Sequence, residues 1–303
     1  MKVKAILKIL YMLLALAFMI YYLAKNWGSL IEYEQQFNVI YLLLAFMFLW
    51  LALASHVALM KIIFAETTHV KIGFWKMFRV FNLANLGRYL PGKLWSVMGM
   101  YYFTGEYWVS KKNTTMAVIA NEITFKGAGL LLGICYLLFS ESYREYLPLL
   151  TGLLIAGLVA LHPAIIGRLI NFGLKILKKE QLKINFGYPT ILKLFFYSIL
   201  LWLIYSLAFY ALVRSITPLE LRNPLKFAAI MPLSWTIGYI ALFAPGGFGV
   251  REGMLVLLLG EILPPEVALA IAVVQRIWFL LVEGANALLA LAIPAQRSPL
   301  SGN

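Results

Sequence analysis

Long apolar runs alternate along the chain with short polar loops, most of them basic. A helix needs about 20 predominantly apolar residues to cross a bilayer. On that measure the pattern predicts seven crossings, near 8–24, 37–64, 114–139, 146–170, 191–213, 225–243 and 266–293. The first run follows Lys2, Lys4 and Lys8 and begins like a signal peptide. It has the length of a full span, however, and no small-x-small cleavage site follows it. It is therefore read as a retained helix with a cytoplasmic N-terminus. The basic stretch 61–79 has Val70, Ile72, Phe74, Trp75 and Phe78 interleaved. It reads either as a loop with interfacial anchors or as a short amphipathic helix on the cytoplasmic surface.

Two further apolar segments, about 81–103 and 245–263, are interrupted. Pro91-Gly92, flanked by Arg88 and Lys93, breaks the first. Pro245-Gly246-Gly247-Phe248-Gly249, followed by Arg251 and Glu252, breaks the second. Irregular backbone does not face lipid; it is buried in protein or lines a wet cavity. A full crossing by 81–103 would also place the Lys178-Lys179 loop outside, against the preference of basic loops for the cytoplasm. The expected architecture is therefore an all-α polytopic membrane protein. It has about seven full transmembrane helices and two Pro-Gly-broken re-entrant hairpins in a pseudo-repeat, within one transmembrane domain over 1–303.

The repeat rests on spacing. Pro91 precedes Glu122 by 31 positions (122 − 91), and Pro245 precedes Arg276 by the same interval (276 − 245). Each unit, 81–139 and 245–293, reads as a broken hairpin followed by a span with a charge inside it. Transporters often carry such duplicated units, with the site at their interface. The helix count gives the two units the same orientation, and the two breaks are expected to meet at a polar site.

Composition agrees with the membrane reading. The 303 residues are 62% hydrophobic and 13% charged, where a soluble domain carries about 25% charged residues. The formal charge of +13 is accounted for by basic cytoplasmic loops against anionic lipid. No basic soluble domain is present to hold a nucleic acid. Cys135 is the only cysteine, and His56, His69 and His162 lack ligand spacing; no metal or other cofactor is expected. His56 reads as a buried polar contact within a span. No catalytic constellation emerges, and the glycines do not match a Walker-type nucleotide loop.

Charges inside spans need partners. Lys126 follows Glu122 by one helical turn, in the favourable order for a local pair. Alternatively, Glu122 pairs across the repeat with Arg276, because Glu283 lies two turns from Arg276 along its own helix. Exposed amides at the helix start near Val250, with Gly246, Gly247, Gly249 and Arg251, suit a phosphate; Arg88 and Lys93 offer a similar setting at the first break. Tyr89, Pro91, Gly92, Trp95, Glu122, Lys126, Pro245, Glu252 and Arg276 are the candidates for the cavity wall or gate. The aromatics near the first break also fit an interfacial belt.

The segments Arg88–Trp95 and Pro245–Glu252 together resemble the lysylphosphatidylglycerol synthase transmembrane-region family, over nearly the whole chain. Glu122 also fits that family's acidic residue in the span after the first motif. The resemblance implies a lipid translocase in a prokaryotic cell membrane, acting on a phospholipid or a polyprenyl-phosphate-linked glycan. Partners so implied are those lipids, a second copy of the chain, or a lipid-modifying enzyme. The aminoacyl-transferase domain of the two-part enzymes is absent here, so lipid synthesis is not expected. Two other classes stay open at this point: a membrane-embedded transferase with Glu122 as general base, and an accessory subunit that transports nothing.

Overall fold

A computed structural model describes residues 37–89, 94–176, 186–218, 224–241 and 244–295, with Ile20, Tyr21, Ala24, Lys25, Gly28 and Gln181 besides. Most of the expected first crossing, together with Pro91, Gly92, Lys93, Lys178 and Lys179, lies outside the described residues. The described chain is helical throughout. Its helices are α1 (Val39–Thr68), α2 (Phe74–Asn85), α3 (Leu94–Gly105), α4 (Lys111–Phe139), α5 (Leu147–Ala160), α6 (Pro163–Ile176), α7 (Tyr188–Ile216), α8 (Pro224–Ile240), α9 (Val250–Leu259) and α10 (Pro265–Ala292). Four of them, α1, α4, α7 and α10, are long and apolar enough to cross a membrane.

Two expected crossings take another form. The run 146–170 is split at His162-Pro163 into α5 and α6, because proline restricts the residue before it and cannot continue an upstream helix. The run 225–243 is α8, of 17 residues and interrupted by Pro232. At 1.5 Å per residue it reaches about 25 Å, short of a bilayer core of about 30 Å. Pro232 cannot donate to the carbonyl of Ala228, and Ser206 Oγ on α7 donates to that oxygen instead, at 3.4 Å.

The frame is the antiparallel pair α1 and α7. Asn38 caps α1, its Oδ1 accepting from the amides of Ile40 and Tyr41, and its own amide donates to Ser215 O at the end of α7. At the opposite end, Lys193 near the start of α7 pairs with Glu66 near the end of α1 at 2.6 Å. Fully buried Leu49, Met60, Phe64, Trp202, Phe209 and Leu212 fill the core along these helices.

Two helical hairpins insert into this frame. In the first, α2 and α3 pack so closely that a Cβ on Gly99 would come within 2.9 Å of Ala84 Cα. In the second, α8 and α9 do the same: a Cβ on Gly238 would come within 2.9 Å of Arg251 Cβ. The arm that pairs with the second break is thus α8, the segment that had read as a full crossing.

The hairpins start from opposite ends of the molecule. At one end, Arg79 of α2 meets Glu106 after α3 at 3.3 Å and the carbonyls of Ala290 and Ile293 where α10 finishes. Thr104 of α3 meets Thr114 at the start of α4 there. At the other end, Glu261 after α9 takes Lys226 from the start of α8, and Tyr136 and Tyr143 from the end of α4 and the turn beyond it. The two units therefore run in opposite directions. This corrects the parallel orientation given by the helix count: α8 turns back where the count had it cross, and one lost crossing reverses everything after it.

Candidate functional site

The tips of the two hairpins meet. A Cβ on Gly246 would lie 3.5 Å from the carbonyl oxygen of Arg88, and both tips border a cavity of about 190 Å³. The arms of the hairpins, α2, α3, α8 and α9, and the middles of α1, α4, α7 and α10 supply the rest of its wall.

The first tip is a 3-10 turn, Leu86–Tyr89, that continues α2. Arg88 is held from both sides. Its Nε donates to Asn85 O at 3.1 Å, and its Nη1 meets Glu283 Oε1 on α10 at 3.1 Å. The Tyr89 hydroxyl donates to the other oxygen of Glu283 at 2.5 Å. Ser96 and Val97 line the cavity from α3. Trp95, placed in the wall by the sequence reading, is 47% exposed and does not line the cavity. Adjacent residues on a helix point about 100° apart, so wall positions at Ser96 and Val97 turn Trp95 aside.

The second tip uses the glycines for their backbone. Gly246, Gly247 and Gly249 have φ of 58°, 71° and 80°, in the region where a side chain is strained. A Cβ on Gly247 would also come within 2.9 Å of Gly238 O. The turn opens at Pro245 and delivers the chain into α9. Here the site departs from the phosphate cradle expected at the helix start. The Gly249 amide donates to Glu252 Oε2 at 2.7 Å, so the protein's own carboxylate takes the place foreseen for an anion. Glu252 is buried, and its other oxygen meets Arg276 Nη1 at 3.0 Å. The same nitrogen donates to Gly246 O at 3.4 Å.

The expected Glu122–Arg276 pair is therefore not formed; Arg276 is engaged by Glu252 from the neighbouring α9. Helix α10 fastens both tips, Arg276 holding the second and Glu283, two turns further on, holding the first. Glu122 and Lys126 border the same cavity from α4, within a π-helical turn over Glu122–Lys126. Such turns widen a helix and recur at functional sites. Trp202 Nε1 donates to Phe125 O in this turn at 2.7 Å. The Tyr239 hydroxyl of α8 hydrogen-bonds the Glu122 carboxylate, and the Lys126 ammonium lies 4.4 Å from the centroid of the Tyr239 ring. Glu122 Oε2 is buried with no hydrogen-bond partner.

Arg251 has the most unusual setting. It is 5% exposed, lies 4.0 Å over the Trp235 ring and 5.0 Å from the Phe279 ring, and borders the cavity. Its Nε and Nη2 have no hydrogen-bond partner. Buried guanidinium donors left unpaired carry a large desolvation cost, which an acceptor arriving in the cavity relieves. Among the described lining residues, Arg88, Lys126, Arg251 and Arg276 stand against the two carboxylates Glu122 and Glu283, so the chamber favours an anion.

Several contributors escaped the sequence reading. Glu283 had been considered only as a distant partner for Arg276. Five candidate cations (Arg88, Lys93, Lys126, Arg251 and Arg276) against two candidate acids (Glu122 and Glu252) were the signal that another buried carboxylate was needed. His56 is a buried polar contact, as read: it lies 3.4 Å from both Tyr205 Oη and Asn121 Oδ1. Trp235, Tyr239 and Phe279 carry no such signal, since aromatic residues in apolar helices are ordinary. Among the described residues no group of three or more His, Cys, Asp or Glu side chains is placed to hold a metal ion.

The chain belongs to the lysylphosphatidylglycerol synthase transmembrane-region family, whose model matches residues 5–282. Comparison with curated proteins finds no match.

Proposed function

We propose that the protein is a membrane lipid translocase, moving a phospholipid or a polyprenyl-phosphate-linked lipid by passing its anionic head through the chamber between the hairpin tips. The observation that carries this reading is Arg251: a buried guanidinium with two unpaired donors, facing a cavity richer in cations than in carboxylates. Family membership supports a role connected with lipid. In this reading the hairpins are re-entrant, dipping into the bilayer from opposite faces, and the units 81–139 and 245–293 form an inverted pseudo-repeat. Tyr239 borders the cavity and is itself 44% exposed, which gives the head a sideways route from the leaflet past Glu122 and Lys126. Acyl chains stay in lipid throughout. The end carrying Lys71, Lys76, Lys111 and Lys112 faces the cytoplasm of a prokaryotic cell, by the positive-inside rule.

Liposomes holding the protein and a fluorescent phospholipid test this. Dithionite bleaches only outer-leaflet probe, so translocation appears as bleaching beyond the outer-leaflet share. Wild type is expected to exceed empty vesicles, Arg251→Ala to lose most of that excess, and Arg251→Lys to recover part of it. Equal rates for wild type, Arg251→Ala and Glu122→Gln would remove this mechanism.

A further inference from the structure

The two hairpins are fastened in different ways. At the first tip, Arg88 Nη1 and the Tyr89 hydroxyl both end on the carboxylate of Glu283. Arg88 borders the cavity, and its side chain is 25% exposed. At the second tip, Glu252 does not border the cavity. It holds both the Gly249 amide and Arg276, and Arg276 also donates to Gly246 O. The arm behind that tip is wedged against α4: a Cβ on Gly129 or Gly133 would come within 2.6 Å of Thr236 or Leu233 on α8.

The first hairpin is tied down at its base. Arg79 meets Glu106 and the carbonyls of Ala290 and Ile293, and Thr104 meets Thr114. Tyr101 Oη lies 2.8 Å from Thr115 Oγ1. Between this base and the tip, the cavity runs along the arms as far as Phe81 on α2 and Met100 on α3. An element fixed at its base, beside a void and held at its tip by one carboxylate can pivot. That hold has a competitor. Arg251 and Arg88 lie against one ring, their guanidinium carbons 4.0 Å and 5.7 Å from the centroid of Trp235. An anion that satisfies the unpaired donors of Arg251 is therefore within reach of Arg88. Moving Arg88 from Glu283 to that anion exchanges one oxyanion for another on the same guanidinium. Breaking the pair without such a replacement would strand a charge.

We propose that Glu283 is the latch of a ligand-operated gate: a phosphate-bearing anion at Arg251 takes Arg88 from it, and the first hairpin swings about its base while the second stays shut. Glu283 borders the cavity too, so water admitted as the tip withdraws solvates its carboxylate. A ligand moves a two-state element only by binding its states unequally, and the released tip is the state whose arginine the anion holds. Glu283 acts through Arg88 and Tyr89 and is a positioning residue. The gate rests on the proposed phosphate-binding role of this chamber, and its test separates the two.

The test is a pair of spin-label distances in the full chain in detergent, on a Cys135→Ala background. Met98→Cys with Leu203→Cys reports the first hairpin against α7, and Ile240→Cys with Leu203→Cys reports the second. All three side chains are exposed, and none borders the cavity. Short-chain phosphatidylglycerol is the ligand, its binding followed by calorimetry on the same samples. Adding it is expected to give the Met98 pair a second, longer population and to leave the Ile240 pair unchanged. Glu283→Gln keeps an acceptor for Tyr89 and loses the charge that holds Arg88, and it is expected to give the longer population without ligand. Bound lipid with both distances unchanged overturns the latch and leaves the translocase reading intact, a result that needs no Glu283 variant to fold. A change confined to the Ile240 pair overturns the assignment of the gate to the first hairpin. Glycerol 3-phosphate carries the phosphate ester without acyl chains. Release of the first tip by it, with no binding of the lipid, would keep the latch and overturn the translocase reading.

Discussion

Glu283 and Glu66 each make one ion pair, and their surroundings give those pairs different weight. Glu283 is 8% exposed and holds both Arg88 and Tyr89. Removing it strands a cation in the interior, which costs about 3–5 kcal/mol where a buried pair is broken. Glu66 and Lys193 have side chains 33% and 47% exposed, and such pairs are worth about 0–1 kcal/mol. Thermal unfolding in detergent should therefore show a clear loss for Glu283→Ala and little change for Glu66→Ala. Glu261 adds a pH dependence at the far end. Burial alone would raise its carboxyl, but the Lys226 ammonium and the hydroxyls of Tyr143 and Tyr136 outweigh that and hold it below the usual carboxylate range. A carboxylate lowered by folding contributes stability that is complete above its unfolded value of about 4.3. That contribution drains away as pH falls through the lower folded value. Melting temperature should fall as pH drops below about 4.3 in wild type, and less steeply in Glu261→Gln.

At the level of elements, the hairpins depend on glycines at their contact lines. Gly238 of α8 faces Arg251 Cβ at a distance no real Cβ keeps, whereas a Cβ on Gly253 of α9 would meet nothing within 4 Å. Gly238→Ala should push the arms apart, displace Arg251, and weaken both stability and the proposed lipid translocation. Gly253→Ala relieves a helix of its poorest former and should be neutral or stabilising by up to about 1 kcal/mol. Melting curves of the two variants, beside the dithionite assay in liposomes, separate these outcomes. The second break was legible in the sequence because a Pro-Gly-Gly run in an apolar segment has few structural uses; Pro91-Gly92 of the first lies outside the described residues. The meeting of the tips was legible too, since stranded cations require company. The partners were not. Arg276 turned to Glu252 because the turn at Gly246–Gly249 brings α9 alongside α10, and nothing in linear spacing encodes that approach. The helix start at Val250 looked open to an anion for the same reason: only the fold reveals that Glu252 curls back onto the Gly249 amide.

For the whole molecule, the decisive quantity is the number of crossings, and periodicity measures it poorly when arms approach membrane length. Helix α8 is apolar and 17 residues long, so by composition it is a near-span. What makes it an arm is the tip that turns back at Gly246 and Gly247 and the Lys226–Glu261 contact that closes the hairpin at its mouth. The charges agree with the direction this sets. Lys71, Lys76, Lys111, Lys112 and Lys193 outnumber Glu66 and Glu106 at the end where the first hairpin opens, while Glu141, Glu145, Glu261 and Glu266 outnumber Arg144, Arg214 and Lys226 where the second opens. Opposite entry can be measured directly. In a Cys135→Ala background, single cysteines at Lys112 and at Glu266 are expected to react with a membrane-impermeant maleimide from opposite sides. The first should label only in inverted membranes or after permeabilisation, and the second in intact cells. Two hairpins entering from one face would label together, and the meeting of their tips would then need both to reach the same depth from the same side. The antiparallel course of α4 and α10 excludes that arrangement unless one of them fails to cross. Labelling from opposite sides would leave one chamber closed off from each face by a different hairpin, the geometry that alternating access to a single site requires.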